Sequence, residues 1–187
     1  RMDSESVLLM MVIRANSLAK GVSGARPELV DLLLSMVNYR IAPIVPRIGS
    51  LGASGDLAPL SHMALGLIGE GECARFNDEE WSVIDSMTAL TDAGLRPVKL
   101  QAKEGLSLIN GTSQMCAYLT KTVLNMETLC LVADASVACS LEAISGSHKP
   151  FDKRIHQSRP QIGQSISAAR INELLVDSKI MLSHIDC

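Results

Sequence analysis

Between Thr112 and Ser145 the chain runs without a proline or an internal glycine, and this stretch constrains the fold more than any other. Nothing in it breaks an α-helix. Met115, Tyr118, Leu119, Val123, Leu124, Met126, Leu129, Leu131, Val132, Val137, Leu141 and Ile144 spread around most of the helical circumference rather than along one stripe. A helix apolar on nearly every side is expected to be a buried, central one. With 47% hydrophobic and 20% charged residues, the chain has the material for such a core and is not expected to be disordered.

The remaining segments read as shorter helices around it. Val7, Leu8, Met10, Met11, Val12, Ile13, Leu18 and Ala19 form an apolar helix that Gly21 stops. Pro27 suits the first turn of a second helix through Val37. Pro43 and Pro46 then enforce an extended approach to a third helix, Leu57 to Ile68, which Gly69-Glu70-Gly71 ends. Cys73–Ile84 reads as a small surface hairpin turning at Asn77-Asp78-Glu79-Glu80. Ser86 is expected to cap a short helix ending near Gly94, and Ile166–Val176 forms a further one. The expected fold is all-α: a helix bundle with a long buried central helix and a small surface hairpin.

Several functions find little support. The net charge is −3 with no Lys/Arg block, and aromatic residues are 3%, so neither phosphate contacts nor base stacking is supplied. The five cysteines, Cys73, Cys116, Cys130, Cys139 and Cys187, have no C-x-x-C spacing, and His62, His148, His156 and His184 form no ligand cluster; no metal is expected. No signal-peptide pattern and no uninterrupted apolar membrane span is apparent, and the expected location is cytoplasmic.

The chemistry concentrates in Gly49-Ser50-Leu51-Gly52-Ala53-Ser54-Gly55-Asp56-Leu57-Ala58-Pro59-Leu60. Without a Cβ, Gly55 can bring its amide nitrogen against the Ala53 carbonyl carbon at unusual torsions. Ser54 can lose its hydroxyl as water. Ala53, Ser54 and Gly55 could therefore cyclise to a methylidene-imidazolone, an electrophile made without an external cofactor. The amides opening the following helix would favour negative charge developing on the ring oxygen. The same glycines, Gly49, Gly52 and Gly55, also suit a plain anion-binding nest. Asp56 either complements the dipole of that helix or orients the loop for cyclisation. Asn110, in Leu108-Ile109-Asn110-Gly111-Thr112, is either a turn residue, with Gly111 supplying a left-handed conformation, or an amide facing a site. Lys103-Glu104 reads as a solvated helix pair.

This loop closely resembles the signature of the aromatic amino acid lyase family. The resemblance extends through Arg14-Ala15-Asn16-Ser17-Leu18-Ala19-Lys20-Gly21, Lys103-Glu104-Gly105-Leu106-Ser107-Leu108-Ile109-Asn110-Gly111-Thr112 and Pro150-Phe151-Asp152-Lys153-Arg154-Ile155-His156, ending near Gly163-Gln164. It implies ammonia elimination from an amino acid to give the trans-α,β-unsaturated acid. Ala53, Ser54 and Gly55 would be the catalytic group, with Asn110 on the ring or on the substrate's amino-acid head. Ser50-Leu51-Gly52 and Gly111-Thr112-Ser113 look most like the bacterial histidine-acting members, giving urocanate, although Gln161-Ile162 departs from their usual His-Pro. Phenylalanine- or tyrosine-acting lyases and aminomutases are the alternative.

The resemblance further implies that residues 1–187 are the central part of the catalytic helical domain of a longer lyase. The N-terminal loop region and the C-terminal half, with a tyrosine base and a carboxylate-binding arginine, would lie outside them, so the segment alone is expected to be inactive. Family members are homotetramers whose sites combine residues of several subunits. The remaining alternative is a catalytically silent helical assembly module that never matures the loop.

Overall fold

The computed structural model describes residues 1–51, 55–77 and 79–183. The chain divides into two compact units, Arg1–Thr122 and Val123–Cys187. Ala53 and Ser54, on which the electrophile reading rests, lie outside the described residues, as do Gly52, Asp78 and His184.

The first unit opens with α1, Ser4–Leu18. Asp3 caps it, accepting from the Ser6 amide at 3.0 Å. Its inner stripe is Val7, Met10, Met11, Arg14, Ala15 and Leu18, the spacing of one helical face. α2, Pro27–Asn38, starts on its proline and buries Leu29, Leu32, Leu33 and Met36. These pack with Ile41, Leu60, Met63, Leu67, Leu90 and Leu108 into one core.

The hairpin forms where expected, as β2, Glu72–Asn77, and β3, Glu80–Asp85. Phe76 and Trp81 meet across it edge to face at 5.3 Å, and the Arg40 guanidinium lies 4.0 Å from the Phe76 ring centre. The extended approach at Pro43 goes further than expected. Ile41–Pro43 is a strand, β1, antiparallel to β2 with Ala42 opposite Ala74, giving a three-stranded β1-β2-β3 sheet. As an edge strand, β1 tolerates a residue without an N–H. The fold is therefore mostly helical with a small sheet rather than purely α.

α3 spans Leu57–Leu67, close to expectation, and α4 spans Ser86–Asp92. The cap of α4 is one residue earlier than the sequence suggested. Asp85 accepts from the Thr88 amide at 3.0 Å, while Ser86 is buried with its Oγ 3.1 Å from Cys73 Sγ. α5, Glu104–Ile109, leads into α6, Ser113–Ala143.

α6 is continuous and almost as long as expected, and within residues 1–187 much of its apolar surface is uncovered. Leu119, Val123, Leu124, Met126, Leu129, Leu131 and Val132 are all exposed. The first core takes Ala117 and part of Tyr118 from this helix, and the second takes Ala138 and part of Leu141, which leaves much of its circumference uncovered by the described residues. The helical stretch Glu104–Ala143 is also long and apolar enough to cross a membrane by length and composition, contrary to the expectation of no such span. Its charged residues are spaced too widely to interrupt an apolar window.

In the second unit, the C-terminal part of α6 packs with a 3₁₀ turn, Lys149–Phe151, α7, Lys153–Ser158, α8, Ile162–Leu174, and α9, Lys179–Leu182. Ala138, Ile171, Leu175 and Met181 form its small core. Arg170 donates to Asp134 at 2.5 Å and Asn172 to the Phe151 carbonyl at 2.6 Å. His156 is buried on α7 with Nδ1 2.9 Å from the Gln164 side-chain nitrogen.

Candidate active site

The end of the signature loop, the α5–α6 turn and one side chain of α1 meet within the first unit. Gly55 has φ +95°, a conformation that a side chain would strain, and a Cβ there would lie 2.6 Å from Met115 Cε. The next residue, Asp56, is fully buried. Its Oδ1 accepts from Ser50 Oγ at 2.7 Å, and its Oδ2 accepts from the Met115 amide at 3.0 Å. Its own amide donates to the Gly111 carbonyl at 3.1 Å.

Asp56 thus does something neither sequence reading anticipated in full. Its side chain caps none of α3, the helix it precedes. It satisfies an orphan amide in the first turn of α6 instead, where a carboxylate is favoured by the helix dipole. The bond from Ser50 reaches back across the loop, so one carboxylate ties both loop ends to a distant helix. This arrangement supports the orienting reading. It also argues against an anion nest, because a further anion at the loop would meet this buried carboxylate.

Asn110 ends α5. Its amide donates to the Leu106 carbonyl at 3.0 Å and its carbonyl accepts from Arg14 Nη2 at 2.9 Å. The turn is therefore held by backbone atoms. The residue is exposed, and among the described residues its side-chain amide has no hydrogen-bond partner. That side chain is available to a ligand and is not consumed as a cap. Gly111 is not in the left-handed region, contrary to expectation. Its missing side chain has another cause: a Cβ would overlap Arg14 Nη1.

Glu104 is the other correction. Far from solvated, its carboxylate is 1% exposed and accepts from Arg26 Nε at 2.7 Å, Arg26 Nη2 at 3.0 Å, the Arg26 amide at 3.1 Å and the Gln101 amide at 2.7 Å. The Arg26 guanidinium foremost, against the opposing effect of burial, holds it down to about 2. The pair fixes the start of α5, and hence the turn that carries Asn110, to the start of α2.

Sequence reasoning missed Ser50 and Arg14. Ser50 carried no signal apart from its place in the loop. Arg14 did: it is a lone cation on the apolar stripe of α1, between Met10, Met11 and Leu18. His62 is exposed on α3, where it lines a groove of about 670 Å³ with Arg47, Glu70 and Glu72. Among the described residues no three His, Cys, Asp or Glu side chains are grouped to hold a metal.

The sequence pattern described as aromatic amino acid lyase matches residues 1–187. The histidine ammonia-lyase of Sorangium cellulosum is 50% identical over 181 residues, covering 97% of this chain and 34% of that protein. The histidine ammonia-lyase of Shewanella woodyi is 46% identical over 187 residues, covering 100% of this chain and 36% of that protein. Among solved structures, the histidine ammonia-lyase of Trypanosoma cruzi superposes with a TM-score of 0.84 at 37% identity, over 91% of this chain and 33% of that one. The phenylalanine ammonia-lyase of Rhodosporidium toruloides gives 0.86 at 30% identity, over 95% and 28%. The chain spans about a third of the length of the curated relatives it matches. Because the family pattern spans residues 1–187, and with them the loop, the turn and both flanking helices, the chain belongs to the aromatic amino acid lyase family.

Proposed function

We propose that this chain is the central part of a longer ammonia-lyase that removes ammonia from histidine to give urocanate, with Ala53, Ser54 and Gly55 as the source of its electrophile. The observation that carries the reading is the clamp on the loop: Asp56 and Gly111 hold the Gly55 end while Ser50 is tied to the same carboxylate. Loss of two waters from Ala53-Ser54-Gly55 needs that end held in a strained geometry, and Gly55 at φ +95° fits the requirement. A ring formed from Ala53, Ser54 and Gly55 would supply an electrophilic methylene to the substrate. Asn110 offers both a donor and an acceptor to the substrate head without adding charge. In the net reaction the Cα–N bond breaks with its electron pair leaving on nitrogen, a base outside this segment takes the β-proton, and the Cα–Cβ double bond forms.

Histidine is favoured over phenylalanine or tyrosine because the relatives named above at 46–50% identity are histidine ammonia-lyases. For the longer protein we propose a cytoplasmic homotetramer acting without an external cofactor, a nucleic acid or a membrane. The exposed apolar residues of α6 are in keeping with assembly, since such a surface calls for cover by the rest of the longer protein and by its neighbouring copies. Lys121, Glu127 and Asp134 along that helix would be costly in lipid, and the first and last are already ion-paired to Asp3 and Arg170. The four described cysteines are free, in keeping with a reducing compartment.

The test is turnover of histidine, phenylalanine and tyrosine by the full-length protein and by Ser54→Ala. Alanine fits the same space but cannot supply a methylene. Histidine turnover that disappears in the variant, with helicity unchanged, is the expected result. Near-parental turnover in the variant refutes the electrophile assignment, and a parent inactive on all three substrates favours the silent assembly module.

A further inference from the structure

We propose that Arg14 is a positioning residue for this reaction, acting through the α5–α6 turn on both Asn110 and the electrophilic loop; the inference rests on the lyase reading above. Arg14 is 6% exposed, on the inner stripe of α1. Its guanidinium has no carboxylate partner among the described residues. Nη2 donates to the Ser107 and Asn110 carbonyls, at the C-terminal end of α5, and Nε is buried without a partner. Burial alone pushes its pKa down, the mark of a cation held where water cannot reach it well. An apolar residue would fill this place in the core without that penalty. What such a residue could not do is hold two carbonyls of one turn at once.

The turn is shaped around the guanidinium. Gly111 leaves open the volume that Arg14 Nη1 occupies. On its other side, the Gly111 carbonyl receives the Asp56 amide at 3.1 Å. The contacts therefore run from Arg14 to Asn110 and Gly111, and from Gly111 to the Gly55–Asp56 end of the loop. Moving the guanidinium would move the amide that addresses substrate and the carbonyl that restrains ring closure together. A planar fork with several donors suits that task, whereas an ammonium can hold one carbonyl firmly and the other loosely.

The experiment uses the full-length protein with Arg14→Met, Arg14→Lys and Gly111→Ala, measuring intact mass, near-ultraviolet absorbance, thermal midpoint, and kcat and KM per matured site. Arg14→Met is expected to lower the fraction of chains with the two-water mass loss. It should also reduce kcat of the matured sites by about 10- to 100-fold, with KM changed by less than about threefold. Arg14→Lys should recover part of both losses. Gly111→Ala displaces the guanidinium without removing it and should reproduce the Met phenotype, so it decides the matter if Arg14→Met does not fold. Full maturation and parental kcat in whichever of Arg14→Met and Gly111→Ala folds, with only the thermal midpoint lowered, overturn the proposal and leave Arg14 a packing residue. A parent that itself shows no two-water loss and no turnover refutes the lyase reading instead, a distinct outcome.

Discussion

Replacing Asp56 should damage stability and maturation together. The carboxylate is fully buried and makes two hydrogen bonds, to Ser50 Oγ at 2.7 Å and to the Met115 amide at 3.0 Å. Asp56→Ala removes the acceptor for an amide of the first turn of α6, a loss of about 1 kcal/mol for a helix cap. It also removes a charge-assisted bond from Ser50, about 1–2 kcal/mol. The sum is about 2–3 kcal/mol, since Ser50 can turn towards water whereas the Asp56 carboxylate is the acceptor of the Met115 amide. Asp56→Asn keeps the shape and one acceptor, and should cost about 1 kcal/mol. Thermal midpoints of the full-length variants should fall in the order parent, Asn, Ala, by a few degrees at each step. Intact mass should show the ring forming in progressively fewer molecules. The reasoning fails if Asp56→Ala keeps the parental midpoint and complete two-water loss, because the clamp would then hold nothing.

Two further outcomes follow from the same geometry. Asn110→Ala should lower kcat/KM of the full-length protein by about 5- to 150-fold. Its thermal midpoint should barely move, because the side-chain amide makes no hydrogen bond among the described residues; a midpoint shift with normal kinetics would return Asn110 to a turn role. Glu104 is held at about 2, below its usual 4.5, by Arg26. A carboxylate with a depressed folded-state pKa stabilises fully above its unfolded value and loses that contribution as pH falls from about 4.5 towards 2. The stability gap between parent and Glu104→Gln, read from urea midpoints, should therefore be open at pH 7 and narrow below pH 4; a gap independent of pH would show that the ion pair contributes nothing.

Most helices were legible because their caps and breakers are local. Pro27 starts α2, Gly21 and the Gly69-Glu70-Gly71 run follow helix ends, and the proline-free stretch after Thr112 gave α6 within a residue or two of its bounds. What escaped depends on atoms far apart in sequence. β1 exists because β2 pairs with it, and Pro43 hid it. Glu104 looked solvated because its partner, Arg26, lies 78 residues away. The exposure of α6 within residues 1–187 was not legible, because periodicity reports an apolar circumference but not which elements cover it. At the candidate site, the motif singled out Gly55 and Asn110 as candidates, and geometry added what spacing could not: the carboxylate of Asp56 serves another helix, and a Cβ on Gly111 would overlap Arg14.

Ammonia elimination by the full-length protein depends on whether Ala53-Ser54-Gly55 becomes a ring. Intact mass of the full-length protein, with mapping of the peptide that contains these residues, tests this directly. A loss of two waters confined to that peptide in most molecules, and abolished by Ser54→Ala, is the expected result. An unmodified peptide in a folded protein that still turns over histidine would contradict it.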